Sequence, residues 1–165
     1  MKKIPIILSM AFLVMTACQQ TPKTVPVNIE AEKAAVNNLV DKLISAMKVK
    51  DVATLTSFLS EDILCCGSDP SEFWNKQQIT DLWTQMLADT APEINLMGQR
   101  VIKVAPDGNS AFAIDQYFMP MYTPNIPFRN VYHLVKTNDK WMIDFFCTAL
   151  IPKNEDIPKL NEAIK

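Results

Sequence analysis

The chain has 165 residues, 48% of them apolar, with 16 basic and 18 acidic side chains and a formal net charge of -2. That balance, with no Lys/Arg stripe and no basic patch interleaved with aromatics, excludes nucleic acid as the natural partner. One His, a few badly spaced Cys and isolated glycines give neither a zinc-ligand pattern nor a phosphate-cradling loop, so no metal and no cofactor is expected.

The first residues form a targeting segment. Lys2 and Lys3 make a positive start, Ile4 to Val14 an apolar stretch too short for a good membrane span, and Thr16-Ala17 supply small residues before Cys18. Met15-Thr16-Ala17-Cys18 resembles the lipobox of bacterial lipoproteins, with Met where Leu is usual. That resemblance implies cleavage before Cys18 and lipidation of its thiol; the alternative is a secreted protein cleaved near Ala17. Gln19 to Val27, with Pro22 and Pro26 among polar residues, reads as a tether. The chain therefore divides into a signal peptide (1–17), a lipidated Cys and tether (18–27) and one folded domain (28–165). The expected location is the bacterial cell envelope. Gln19 in place of an acidic residue resembles the sorting pattern for the periplasmic side of the outer membrane.

Asn28 is placed to cap a helix with Glu30 and Glu32 in its first turn, Lys48 and Lys50 at its end, and Val36, Leu39, Val40, Leu43 and Met47 on one face. Asp51 caps a shorter helix that turns Val52, Leu55, Phe58 and Leu59 inward and runs out at Ser60-Glu61-Asp62. Ile63 to Cys66 is a short strand and Gly67 to Ser71 a turn. Asn75 and Gln78 form a capping box for a third helix, whose stripe of Ile79, Leu82, Trp83, Met86 and Leu87 is core-like; Pro92 stops it. Two strands follow, about 94–105 and 110–119, joined at Pro106-Asp107-Gly108. Pro120, Pro124 and Pro127 mark a loop whose Met121 and Tyr122 lie over the open end of the sheet. At the C-terminal end, Asp156 to Ile164 is expected as a short helix with Leu160 and Ile164 inward.

Phe128 to Ile151 reads as a central hairpin turning at Asn138-Asp139. Counting outward pairs Leu134 with Ile143, His133 with Asp144, Tyr132 with Phe145 and Asn130 with Cys147. One face then carries Tyr132, Leu134, Trp141, Ile143, Phe145, Cys147 and Ala149. The other carries Val131, His133, Val135, Met142, Asp144, Phe146 and Thr148. Neither is polar enough for water, so helices should cover one and a second copy of the chain the other. Of Cys65 and Cys66, which point to opposite faces of their strand, one at most can meet Cys147. Free thiols packed as small apolar groups are favoured over a disulfide.

Helices followed by a run of antiparallel strands give an α+β domain, helices packed on a curved sheet. Several stretches are similar to the SnoaL-like branch of the nuclear transport factor 2-like superfamily: Lys50-Asp51-Val52, Phe58 to Asp62, the helix after Asn75, Val104 to Ala111, and Lys136 to Ile143 with its Trp-x-Ile. The resemblance implies a cone-shaped, cystatin-like fold with three N-terminal helices, a pocket between sheet and helices, and dimerisation through the outer sheet face. Family members with a polar pocket often carry histidines four and six places after the strand Trp; here Phe145 and Cys147 stand there, which argues against imidazole chemistry.

The resemblance would turn Tyr132, Phe145 and Cys147 toward the pocket, with Asp115 and Tyr117 from the preceding strand and Phe58 and Trp83 closing it from the helices. A mostly apolar cavity with a few polar groups suits a small, largely apolar molecule. The first expectation is a non-catalytic binding or accessory module. An isomerase, dehydratase or cyclase is the alternative, with Asp115 as general base and Tyr117 or Tyr132 donating to a developing oxyanion. A purely structural dimer is the third. Against the enzyme stands the simpler possibility that Asp115 is merely paired at a sheet rim and the tyrosines are core. His133 and Asp144, on the outer face, are expected as an ion pair near a dimer interface rather than a catalytic dyad.

Overall fold

The computed structural model describes residues 26–164. The signal peptide, Cys18 and nearly all of the tether lie outside the described residues.

Three helices precede most of the sheet: α1 (Ile29–Lys48), α2 (Val52–Ser57) and α3 (Lys76–Met86). The strands are β1 (Leu59–Cys66), β2 (Phe73–Trp74), β3 (Asn95–Leu96), β4 (Val101–Val104), β5 (Ser110–Met119), β6 (Thr123–Thr137) and β7 (Lys140–Leu150), and a 3-10 turn (Asn154–Asp156) leads into α4 (Ile157–Ala163). Each N-terminal helix starts where the capping chemistry requires. The side chains of Asn28, Asp51 and Asn75 accept from the backbone N–H three residues on, and Gln78 closes the capping box.

The seven strands form one curved sheet in the order β2-β1-β7-β6-β5-β3, with β4 also paired to β5. All its pairings are antiparallel except β1 with β7, which run parallel. The chain is thus an α+β fold. α1 and α3 lie on the inner face, where Val36, Val40, Leu43, Ile79 and Trp83 meet Ala111, Ala113, Leu134, Trp141 and Ile143 in the core. Glu32 fastens α1 to the central hairpin: its carboxylate accepts from Trp141 Nε1 at 2.9 Å and pairs with Lys136. At the same end of the sheet, Val27 packs on Gly108, where a Cβ would fall 2.5 Å from Val27 Cγ1.

The hairpin turn holds Asn138 and Asp139 at φ 51° and 60°, as a two-residue turn of the primed type requires. Leu134 pairs with Ile143, but the register then slips, so that His133 faces Phe145, Tyr132 faces Phe146 and Asn130 faces Thr148. Asp144 is the extra residue of a β-bulge. A one-residue insertion exchanges the two faces of a strand, and beyond Asp144 β7 therefore turns Phe146 and Thr148 inward and Phe145 and Cys147 outward.

Other boundaries also differ from the sequence pattern. α2 ends at Ser57 because Leu59 already belongs to β1, which spans all eight residues to Cys66. The expected strand at 94–105 is broken into β3 and β4 around Gly98, whose φ of 67° no extended strand accommodates. β6 begins at Thr123 and so includes Pro124 and Pro127. These prolines fall between the Met119–Thr123 and Tyr117–Phe128 pairs, where the ladder is irregular and a missing N–H costs nothing. α4 leaves Leu160 half-buried and Ile164 81% exposed, so its expected inward face is not packed.

Candidate functional site

A cavity of about 290 Å³ lies between the inner sheet face and the helices. Leu43, Ile44 and Met47 of α1 with Ile79, Leu82, Trp83 and Met86 of α3 make the helical wall. Asp115, Tyr117, Phe128, Asn130, Tyr132, Phe146 and Thr148 make the sheet wall, and Gly67, Trp74, Met119 and Tyr122 also line the cavity. Trp83 stacks on Phe146, the ring centroids 6.0 Å apart and 9° from parallel. The size falls near the lower end of small-molecule sites, and the lining is of their kind: apolar, with a few convergent polar groups.

Those polar groups come from neighbouring inward positions of β5, β6 and β7. Asn130 sits at their centre. Its Oδ1 accepts from Tyr117 Oη at 3.1 Å and Thr148 Oγ1 at 2.7 Å, while its Nδ2 donates to Tyr132 Oη at 2.8 Å. A phenol that accepts keeps its own proton, so the Tyr132 hydroxyl has a donor to spare. Burial pushes the Tyr117 phenol up to about 12, and burial likewise raises Tyr132. Both are neutral hydrogen-bonding groups at ordinary pH.

Asp115 is opposite Asn130 in the β5–β6 ladder and is 3% exposed. Arg100 Nε donates to its Oδ1 at 2.8 Å. Arg100, its own side chain only 6% exposed, is held behind the wall by α1: its Nη1 donates to Asn37 O, Asn37 Oδ1 and Asp41 Oδ1 at 3.0, 2.9 and 2.8 Å. Burial alone would lower the Arg100 pKa, but the bonds to Asp115 and then Asp41 outweigh it and the net direction is up. Among the described residues, Asp115 Oδ2 and Ser60 Oγ are the buried side-chain polar atoms without a hydrogen-bond partner. An unsatisfied buried oxygen costs about 1–3 kcal/mol, more when it is charged.

Of the residues expected at the pocket, Trp83, Asp115, Tyr117 and Tyr132 are brought together on its wall. Phe58, Phe145 and Cys147 are not. Phe58 ends α2 and packs against the core, and the bulge at Asp144 carries Phe145 and Cys147 to the outer face, so Phe146 and Thr148 line the cavity instead. His133 and Asp144 do meet, Nδ1 to Oδ1 at 2.6 Å, despite the slipped register, because the bulged residue leans beside its former partner. Arg100, Asn130 and Thr148 are not expected at the site from the sequence, which assigns Thr148 to the outer face. Two of them could have been found by parity: Arg100 has the same alternation as Ile102 and Val104, and Asn130 the same as Tyr132 and Leu134. A polar residue on a core-facing parity needs a partner.

The SnoaL-like domain family matches residues 36–144, more than half of the chain, and the protein belongs to it. No curated protein matches it. Among solved structures it is similar to a nuclear transport factor 2-like protein of unknown function from Pseudomonas putida, with 13% identity, a TM-score of 0.64, and 76% of this chain and 91% of the other covered. A domain of unknown function with a cystatin-like fold from Nostoc punctiforme gives 14% identity, a TM-score of 0.64 and coverage of 80% and 85%. A nuclear transport factor 2-like protein with a cystatin-like fold from Novosphingobium aromaticivorans gives 14%, 0.61, 80% and 90%. At such identities the likeness establishes the fold, which is nuclear transport factor 2-like and cystatin-like.

Proposed function

We propose that the protein is a binding module for a small, mostly apolar molecule that carries a hydrogen-bond donor such as a hydroxyl, held in the bacterial envelope by a lipid on Cys18. The observation that carries this reading is Asp115: its Oδ2 is buried without a partner on a residue of a mostly apolar cavity wall. A ligand hydroxyl would satisfy that oxygen, Tyr132 would donate to the ligand, and Trp83 and Phe146 would cover its apolar body. The test is a thermal-shift screen of the full chain in detergent against steroid alcohols, long-chain alcohols, phenols and their methyl ethers. A hydroxylated compound at a hundredfold its dissociation constant stabilises by about 2.7 kcal/mol, and its methyl ether by much less. Equal shifts from alcohol and ether would refute the role of Asp115.

The same free oxygen supports a second reading, a cofactor-independent isomerase, dehydratase or cyclase in which Asp115 moves a proton while Tyr117 or Tyr132 steadies developing negative charge. Product analysis of the bound compound separates the two: an enzyme converts it and loses that turnover in Asp115→Asn, whereas a binding module returns it unchanged. We further propose a homodimer, a second copy covering the outer sheet face. Membrane attachment through Cys18 is tested by Cys18→Ser, which moves the protein from the membrane to the soluble fraction; continued membrane association would rule the anchor out.

A further inference from the structure

The outer face also holds a pair of neighbouring thiols. In the parallel register of β1 and β7, Cys66 is the partner of Cys147, and both are half-buried free thiols. Cys65, one residue earlier, is partnered by Phe146 and completely buried in the core. Register partners share a face, so Cys66 and Cys147 point the same way. Adjacent strands lie about 4.8 Å apart, inside the Cα separations of roughly 4.4–6.8 Å that a disulfide spans. Burial, and next the neighbouring Cys147 thiol, raise the Cys66 pKa. The thiolate is accordingly scarce at neutral pH, which suits a slow clasp better than a fast exchange catalyst.

We propose that Cys66 and Cys147 form a reversible cross-strand disulfide, closed by exchange with a small disulfide such as oxidised glutathione. One cysteine thiolate attacks the oxidant's S–S bond, making a mixed disulfide and releasing one small thiolate, which takes up the proton the cysteine lost. The second cysteine thiolate then attacks the protein sulfur of that mixed disulfide and expels the other small thiolate, which takes up the second proton. The two cysteines are oxidised and the small disulfide is reduced to two thiols, so atoms and electrons balance. The bond would tie β1 to β7 behind the cavity: Gly67 and Ser68 follow Cys66, Phe146 and Thr148 flank Cys147, and all four line the cavity. It therefore clasps the wall from outside without occupying the binding space.

The test is peptide mapping of the full chain, unfolded in reductant, refolded in a glutathione redox buffer, alkylated and digested without reduction. Refolding exposes both thiols to the oxidant, so a second copy over the face cannot hide them. The expected result is a dominant Cys66–Cys147 linked peptide that disappears with dithiothreitol, with Cys65 alkylated; in Cys147→Ser the linked peptide is lost and no Cys65 bridge replaces it. Alkylation of both Cys66 and Cys147, or a dominant bridge through Cys65 or between chains, would overturn the proposal. The same map on natively purified protein treated with oxidised glutathione provides a second measurement, read by the same outcomes.

Discussion

Arg100 binds one oxygen of Asp115 at 2.8 Å and leaves the other buried and unpartnered. Both side chains are almost wholly enclosed, so the pair is costly to break from either end, but not equally. Arg100→Met strands a buried carboxylate with no cation and is expected to cost roughly 3–5 kcal/mol. Asp115→Asn leaves Arg100 its bonds to Asp41 and Asn37 and is expected to cost less, about 1.5–3 kcal/mol, the range of a hydrogen bond to a charged group. Urea unfolding measures both. A larger loss for Asp115→Asn than for Arg100→Met would mean that Arg100 depends on Asp115 rather than on α1.

The cavity phenols set an alkaline limit to stability. Burial raises Tyr117 from its ordinary value of 10.0 to about 12, and raises Tyr132 as well. A group whose folded pKa exceeds its unfolded one contributes its full stability below the unfolded value and loses it as pH climbs through the folded one. Stability should hold up to about pH 10 and fall from there to about pH 12 and beyond, in step with tyrosinate absorbance. Tyr117→Phe should make the fall shallower. An unchanged slope in that variant would show that Tyr117 is not a source of the linkage.

How far the site could be read from the chain depended on one residue. Capping at Asn28, Asp51 and Asn75, the turn at Asn138-Asp139 and the Leu134–Ile143 pair were all legible, because each is a local rule acting on adjacent residues. Period-two alternation sorted the strand residues onto two faces, and the family resemblance turned the face with Tyr132, and with it Asp115 and Tyr117, toward the pocket. Phe145 and Cys147 did not, because Asp144 is an inserted residue, and Phe145-Phe146 offers two aromatics of which either satisfies the pattern. For Arg100 the inward parity was there to be read, but its partners Asn37 and Asp41 are some sixty positions away in α1, a contact that no local pattern encodes.

The outer face makes a prediction about assembly. Phe112 is 47% exposed, Leu64 45% and Val101 61%, and the Phe112 ring lies 4.8 Å from that of His133. A second copy on this face would bury them. Phe112→Lys should then shift the sedimentation profile from dimer toward monomer, by tenfold or more in dissociation constant, a change of about 1.4 kcal/mol or greater. A wild-type chain that sediments as monomer throughout would remove the dimer.

Gly108 makes another. With φ at 70° and Val27 against it, Gly108→Ala incurs both left-handed backbone strain and a clash. The strain alone is about 1–2 kcal/mol, and urea unfolding should show at least that. Combining it with Val27→Ala should recover the clash and leave the strain. A full recovery would mean that the backbone had relaxed out of the left-handed region.

Under the proposed lipid anchor on Cys18, the seat of Val27 on Gly108 would also orient the molecule. β5 starts two residues after Gly108 and runs for ten residues to Met119, which borders the cavity. At about 3.3 Å per residue the strand spans roughly 30 Å. It separates the end of the tether from that border, so a chain fastened through Cys18 would hold Met119 and Tyr122 on the side away from the lipid surface.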